Sequence, residues 1–287
     1  MLQCRRILFF LPVVAVSTLL LKAQAQTPAQ MVRDVVYNEM HDHDHHGFWE
    51  YAIEKRGNNQ LLSEDNVETK DGNLYRVLKI NGRPLTPDQV RQEEERLNTL
   101  MNSASEQRRI REQHVEDESR IGRIMSMLPE AFLYDYDGTE GEVVRLNFRP
   151  NPAFNPPTTE ARIFHSMGGK IWLNTKWKRL ARIDGHIIQN IDFGFGILGR
   201  INKGGSFNLE RVAASETDWK TRVMNVHITG RAILFKTLAK DTDEIRTGFH
   251  PIPRGTSLVQ ARLMVEGAGQ RMEQASLTSA QGALARN

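Results

Sequence analysis

The chain of 287 residues reads as an α+β protein in which a curved antiparallel β-sheet, an open half-barrel, is covered by helices and carries a long charged helical insertion. Three observations carry this expectation. From Glu142 to Phe249, short runs of alternating apolar and polar residues recur with turn signals between them and no room for crossover helices, which makes an antiparallel meander. Proline-opened stretches with helical spacing precede that region. Hydrophobic residues at 39% and charged residues at 25% supply enough apolar surface for a core, excluding wholesale disorder and collagen-like repetition.

The N-terminus reads as an export signal. Arg5 and Arg6 precede an apolar run from Ile7 to Leu21, and Ala23-Gln24-Ala25 provides the small residues of a cleavage site, so residues 1–25 are expected to be a signal peptide cut after Ala25. About 15 apolar residues fall short of the roughly 20 that span a bilayer. The expected mature protein is periplasmic and soluble, with no stable membrane span. The single cysteine, Cys4, would leave with the leader, which removes disulfides, thiol nucleophiles and cysteine-ligated zinc. Arg5, Arg6 and Lys22 would leave too, and the remainder carries 35 basic and 35 acidic residues. That balance gives no support to nucleic-acid binding.

Residues 26–257 read as one domain. Thr27-Pro28 opens a first helix with Met31, Val35, Val36 and Met40 at helical spacing. Trp49, Tyr51 and Ile53, and then Leu74, Leu78 and Ile80, alternate as strands around polar turns at Gly57-Asn58-Asn59 and Asp71-Gly72. Thr86-Pro87-Asp88-Gln89 combines an N-cap, a first-turn proline and a capping-box glutamine, and begins one helical stretch, an insertion at about 86–128. Its middle alternates in charge sign, with pairs such as Arg108/Glu112 and Glu116/Arg120 four apart, which reads as a solvated, self-paired surface. The strands that follow hold eleven of the nineteen aromatics beyond the leader, a density that implies a thick core or an apolar cavity. Past Leu258 there are no aromatics, and 258–287 reads as a flexible or frayed-helical tail.

Several motifs invite chemistry. Gly194-Phe195-Gly196-Ile197-Leu198-Gly199 has dinucleotide-binding spacing, but the next strand follows too soon for the helix that would hold a pyrophosphate, so a bend is expected and no cofactor. Asp135-Tyr136-Asp137-Gly138 resembles part of a calcium loop, yet Leu133 and Val144 at the first and twelfth positions cannot ligate, and a type I turn is expected. His41-Asp42-His43-Asp44-His45-His46 offers four imidazoles and two carboxylates. Adjacent loop residues rarely converge on one ion, and the expectation is a solvated linker with no assigned metal site. Neither a Gly-x-Ser-x-Gly elbow nor a His-Glu-x-x-His helix occurs, and the chain reads as a non-catalytic binding protein.

The order of signal, short helix, strands, charged helix, Pro150-Asn151-Pro152, Met167-Gly168-Gly169-Lys170-Ile171-Trp172-Leu173, Arg179 to Gly185, Asp192-Phe193-Gly194 and Trp219 resembles the bacterial outer-membrane lipoprotein-sorting proteins of the LolA-like and RseB-like superfamily. The resemblance covers roughly Val32 to His250. It implies a half-barrel with an apolar groove for lipid acyl chains or a lipoprotein anchor, and a place in envelope lipoprotein sorting; no residue here matches the carriers' ligand-release arginine. The alternating candidates for the groove are Leu146, Phe148, Ile187, Ile191, Phe193, Phe207, Leu209, Val226 and Ile228, on whichever face is concave. The alternatives are an envelope module that binds another protein, and a His-cluster metal-binding protein. The exported form is expected to begin at Gln26 without acylation; an intact mass that retains residues 1–25 in the periplasmic fraction would refute the processing step.

Overall fold

A computed structural model describes residues 26–41, 47–57, 59–193, 199–232 and 240–270. The chain runs α1 (Pro28–His41), β1 (Phe48–Gly57), β2 (Gln60–Thr69), β3 (Gly72–Ile80), β4 (Arg83–Pro84), α2 (Pro87–Asn102), α3 (Ala104–Ala131), β5 (Phe132–Glu140), β6 (Val143–Pro150), α4 (Thr159–His165), β7 (Met167–Asn174) and β8 (Arg179–Ile187). It continues with β9 (Ile191–Phe193), β10 (Gly199–Ile201), β11 (Ser206–Ala213), β12 (Trp219–Ile228), β13 (Gly230–Ala232) and β14 (Lys240–Ile252), and a helix over 258–270, here α5. The protein is therefore α+β. Eleven strands form one open sheet in the order β4-β3-β2-β1-β14-β12-β11-β8-β7-β6-β5, and β13-β10-β9 form a small second sheet. The pairings are antiparallel, as the short connections require.

Along the large sheet the strands follow chain order except that β1 to β4 attach beyond β14 rather than before β5. The two edges, β4 and β5, are thus consecutive strands of the chain, and α2 and α3 carry it from one edge to the other. An uncurled eleven-strand sheet is about 48 Å wide at ~4.8 Å per strand, and a 28-residue helix is about 42 Å long. One helix can therefore bridge most of that distance.

Local chemistry starts each helix. Thr27 and Gln30 cap α1 reciprocally, with Gln30 N donating to Thr27 Oγ1 at 3.3 Å and Thr27 N to Gln30 Oε1 at 2.9 Å. Thr86 and Gln89 close the anticipated capping box with the same two distances, 3.3 Å and 2.9 Å. The single helix expected over 86–128 is two. Ser103, extended at φ −110°, ends α2 and accepts from Glu106 N at 3.3 Å to start α3.

The register places Leu146, Ile171, Ile183, Leu209 and Met224 in one cross-strand row and hence on one face. That face, with Val32, Val35 and Val36 of α1, Leu128 and Ala131 of α3, and Ile163 of α4, makes the larger core. A second core lies on the opposite face of β2 and β3, where Val67 and Leu74 meet Leu97 and Leu100 of α2 and Leu258, Ala261 and Val265 of α5. Ile110, near the start of α3, packs on this second core. Residues 115–121 between the two anchored ends are exposed on every side.

Four sequence expectations need correction. β2 lies between the two strands that alternation identified; its central Ser63-Glu64-Asp65-Asn66 is polar, yet Glu64, Asp65 and Asn66 are buried. Asp135 to Gly138 are not a turn but part of β5, with a bulge between Tyr136 and Gly138. Arg145 Nε and Lys170 Nζ hold Asp137 from neighbouring strands at 2.6 and 2.9 Å. Residues 258–270 pack as a helix, because Leu258, Ala261, Val265 and Ala268 are buried. α4, opened by Thr158, has no counterpart in the sequence reading.

A Cβ on Gly169 would lie 1.9 Å from the Asp184 carbonyl oxygen in the β7–β8 pairing, whereas one on Gly122 in α3 meets nothing within 4 Å. Gly169→Ala should cost about 3 kcal/mol or more, and Gly122→Ala should stabilise by roughly 0.8–1.0 kcal/mol. Urea unfolding of the two variants checks both signs.

Candidate functional site

α1 lies across the apolar face as a cover. Its contacting residues Val32, Val35 and Val36 follow the spacing of a helix face, and the next position in that series is Glu39. A carboxylate there must be neutralised as it is buried. Leu180 N donates to Glu39 Oε1 at 3.0 Å, Arg211 Nη1 pairs with the same oxygen, and Arg179 Nη1 lies 3.6 Å from Oε2. The side chains of Glu39, Arg179 and Arg211 are only 8%, 7% and 14% exposed.

The two guanidiniums are tied into the sheet in turn. Arg211 Nη2 donates to Trp219 O at 2.6 Å and Arg179 Nη2 to Thr217 O at 3.0 Å. Burial lowers the Arg179 pKa; Glu39 opposes that, Arg211 reinforces it and Asp218 opposes it. Asp218 also accepts from Gly47 N at 2.9 Å, which fixes the start of β1 to the same place. Outside this latch, Asn38 Nδ2 donates to the carbonyls of Trp177 and Lys178 at 3.2 and 3.1 Å, and Lys178 pairs with Asp34 at 3.2 Å. One end of the cover is therefore polar and specific, and its middle is apolar.

Seven of the nine groove candidates are on the large sheet and share this face: Leu146, Phe148, Ile187, Phe207, Leu209, Val226 and Ile228. Ile191 and Phe193 lie in β9 of the small sheet, and both join the larger core. Leu146, Phe148, Ile187, Ile191, Phe193 and Val226 are buried, and Phe207, Leu209 and Ile228 are partly buried. A void of about 10 Å³ on this face is bordered by Phe148 and Phe207 together with Leu128, Tyr134, Phe164, Met167, Ile171 and Ile183. Room for an acyl chain on this face requires the helical cover to move.

Sequence reasoning did not single out Glu39, Arg179, Arg211 or Asp218. The signal was present for two of them. Glu39 occupies an apolar-stripe position of α1, and Arg211 continues the inward alternation of Phe207 and Leu209.

The remaining motifs contribute less. His41 ends α1, where its ring stacks on Tyr37 at 4.0 Å, and residues 42–46 of the His-Asp run lie outside the described residues. The glycine run lies outside them too, apart from Gly199, which opens β10 antiparallel to β9. His227, on the opposite face, is held between Asp241 at 2.5 Å and Asp243 at 3.0 Å, and the bond to Asp241 raises its pKa. Among the described residues no group of three or more His, Cys, Asp or Glu is placed to hold a metal ion, and no helix is long and apolar enough to cross a membrane. No protein-family model, curated protein or solved structure matches the chain.

Removing one partner of a buried ion pair strands the other charge, at a cost of about 3–5 kcal/mol. Glu39→Ala should destabilise by that amount, and Glu39→Leu with Arg179→Met and Arg211→Met should recover most of it. Urea denaturation of the two variants measures the difference.

Proposed function

We propose that this chain is an exported periplasmic protein that binds a lipid acyl chain, free or as the anchor of a lipoprotein, between α1 and the apolar face of β5 to β8 and β11, without covalent catalysis. The observation that carries the reading is the construction of the cover. α1 contributes no strand to the sheet, shields its apolar face through three valines, and is fastened at one end by a latch of side chains. Such a helix can lift while the sheet's backbone ladder stays intact. Lifting it uncovers the row from Leu146 to Leu209, an apolar surface suited to an alkyl chain and bordered by few polar groups.

Two further features favour the reading. The bridging of both sheet edges by α3 accords with a sheet bent into a half-barrel, concave on the α1 side. The resemblance to lipoprotein-sorting proteins, drawn from the Met167 to Leu173 and Arg179 to Gly185 segments, points to the same ligand class and to a part in envelope sorting.

The test is to prevent α1 from moving. In a chain that starts at Gln26, and so lacks Cys4, Asp34→Cys and Lys178→Cys can be joined by a short bis-maleimide, since the native side chains meet at 3.2 Å. The uncoupled protein should bind a fluorescent fatty-acyl probe saturably, and the cross-linked protein at least about tenfold more weakly, equivalent to roughly 1.4 kcal/mol. Equal binding before and after coupling, with each single-cysteine variant as control, would place the probe elsewhere and sink the proposal.

A further inference from the structure

The same sheet face changes chemistry beyond β12. The register sets Tyr51 of β1 opposite Asn66 of β2 and Ile53 opposite Glu64, with Tyr75 and Val77 of β3 on their far side. Opposed residues in an antiparallel pair share a face with Cβ atoms ~4.5–5.5 Å apart, so Tyr51, Asn66 and Glu64 form one contiguous polar patch. They are 2%, 3% and 8% exposed.

Buried polar groups in folded proteins are almost always hydrogen-bonded. In this patch Asn66 Nδ2 has no hydrogen-bond partner, nor does Trp49 Nε1, two residues before Tyr51 on the same face. The Tyr51 hydroxyl and the Glu64 carboxylate make no hydrogen bond with a described residue either. Three of the surrounding cations are paired with other carboxylates. Lys220 Nζ holds Glu68 at 3.0 and 2.9 Å, Arg246 Nε holds Glu244 at 2.5 Å, and Arg96 holds Glu93 at 2.7 Å while donating to Tyr75 O. Lys55 and Arg96 are the cations in electrostatic range of Glu64, and neither forms an ion pair with it. Burial raises the Glu64 pKa; Glu244 and Glu93 add to that and the two cations oppose it.

We propose that Glu64, Asn66 and Tyr51 form a recognition site for a small primary ammonium group with a neighbouring oxygen, the chemistry of an aminoalcohol head group. An ammonium presents three N–H donors and no acceptor. Glu64 supplies the counter-charge, and the Asn66 carbonyl and Tyr51 oxygen supply the other two acceptors, while the Tyr51 ring is held in place by Arg246 at 5.7 Å and Phe249 at 5.2 Å. The Asn66 amide N–H then needs an acceptor on the ligand, which a bare alkylammonium lacks and an aminoalcohol or its ester provides. The amine could be free in solution or part of a lipid. Only the lipid source rests on the acyl-binding reading, whose surface is the other half of this face.

The chain from Gln26 is titrated by calorimetry with ethanolamine and with ethylene glycol, and separately with short-chain phosphatidylethanolamine and phosphatidylglycerol below their micelle concentrations. Saturable binding is expected for the amines, at least tenfold weaker for the uncharged or anionic analogues. Glu64→Gln should weaken amine binding at least tenfold, and Tyr51→Phe, which removes one oxygen and keeps the ring, several-fold. Binding of ethanolamine alone identifies a free amine, and tighter binding of phosphatidylethanolamine a lipid head group; both support the site. Failure of both amines to saturate, or Glu64→Gln or Tyr51→Phe proteins that bind the amines like the parent, would overturn it. An acyl probe that still binds in that event leaves the acyl-binding reading standing.

Discussion

The pairing of β1 with β14 is the constraint on which the rest of the structure depends. It joins strands from opposite ends of the described chain over register contacts from Phe48 with Ile252 to Gly57 with Thr242. Because β1 to β4 are appended there, the open edges of the sheet belong to consecutive strands, and the chain must travel from one to the other before it can continue. α2 and α3 make that journey. A long polar helix, which as an isolated surface decoration would have no reason to exist, becomes a topological necessity.

Covering two different faces follows from the same route. α2 sits at the β3 edge, where Glu93 accepts from the free Val77 N–H at 2.9 Å and so blunts an edge that would otherwise offer itself to another strand. Leu97 and Leu100 turn inward beside α5, and the far end of α3 delivers Leu128 and Ala131 to the other core next to α1. The apolar half of the sheet is thus closed by helices fastened at their ends, while the β1–β2 half of the same face is closed by ion pairs and aromatic rings. Apolar and polar surfaces thus adjoin on one continuous sheet face.

Much of this was legible locally. Alternation placed Leu146 with Phe148, Phe207 with Leu209 and Val226 with Ile228 in strands, though Ile187 and Ile191, read in one run, fall in β8 and β9 of different sheets, and Thr86 with Gln89 fixed the start of α2; these signals act within a few residues. β2 escaped because Glu64 and Asn66 are inward-facing polar residues, which invert the usual apolar alternation of a half-buried strand. Asp135 to Gly138 carried the composition of a turn, yet Asp137 is claimed by Arg145 and Lys170 from other strands. The Glu39 latch was out of reach for the same reason: its partners are some 140 residues or more away in sequence, and no local pattern specifies a contact of that separation. Seven of the nine groove candidates were gathered onto one face by their alternation, but the choice of face depended on where α1, α3 and α4 packed.

The bare middle of α3 has a geometric corollary. Between Val115 and Ile121 every residue is exposed, and the helix supports itself through pairs such as Arg120 with Glu116 at 3.7 Å and Arg120 with Asp117 at 3.2 Å. It works as a strut whose two ends must face defined directions. Each inserted or deleted residue turns one end by about 100° relative to the other. Strut lengths that keep both ends facing their cores therefore differ by near-whole turns, about seven or about eleven residues, and the span across the sheet becomes a quantity that changes in increments rather than continuously.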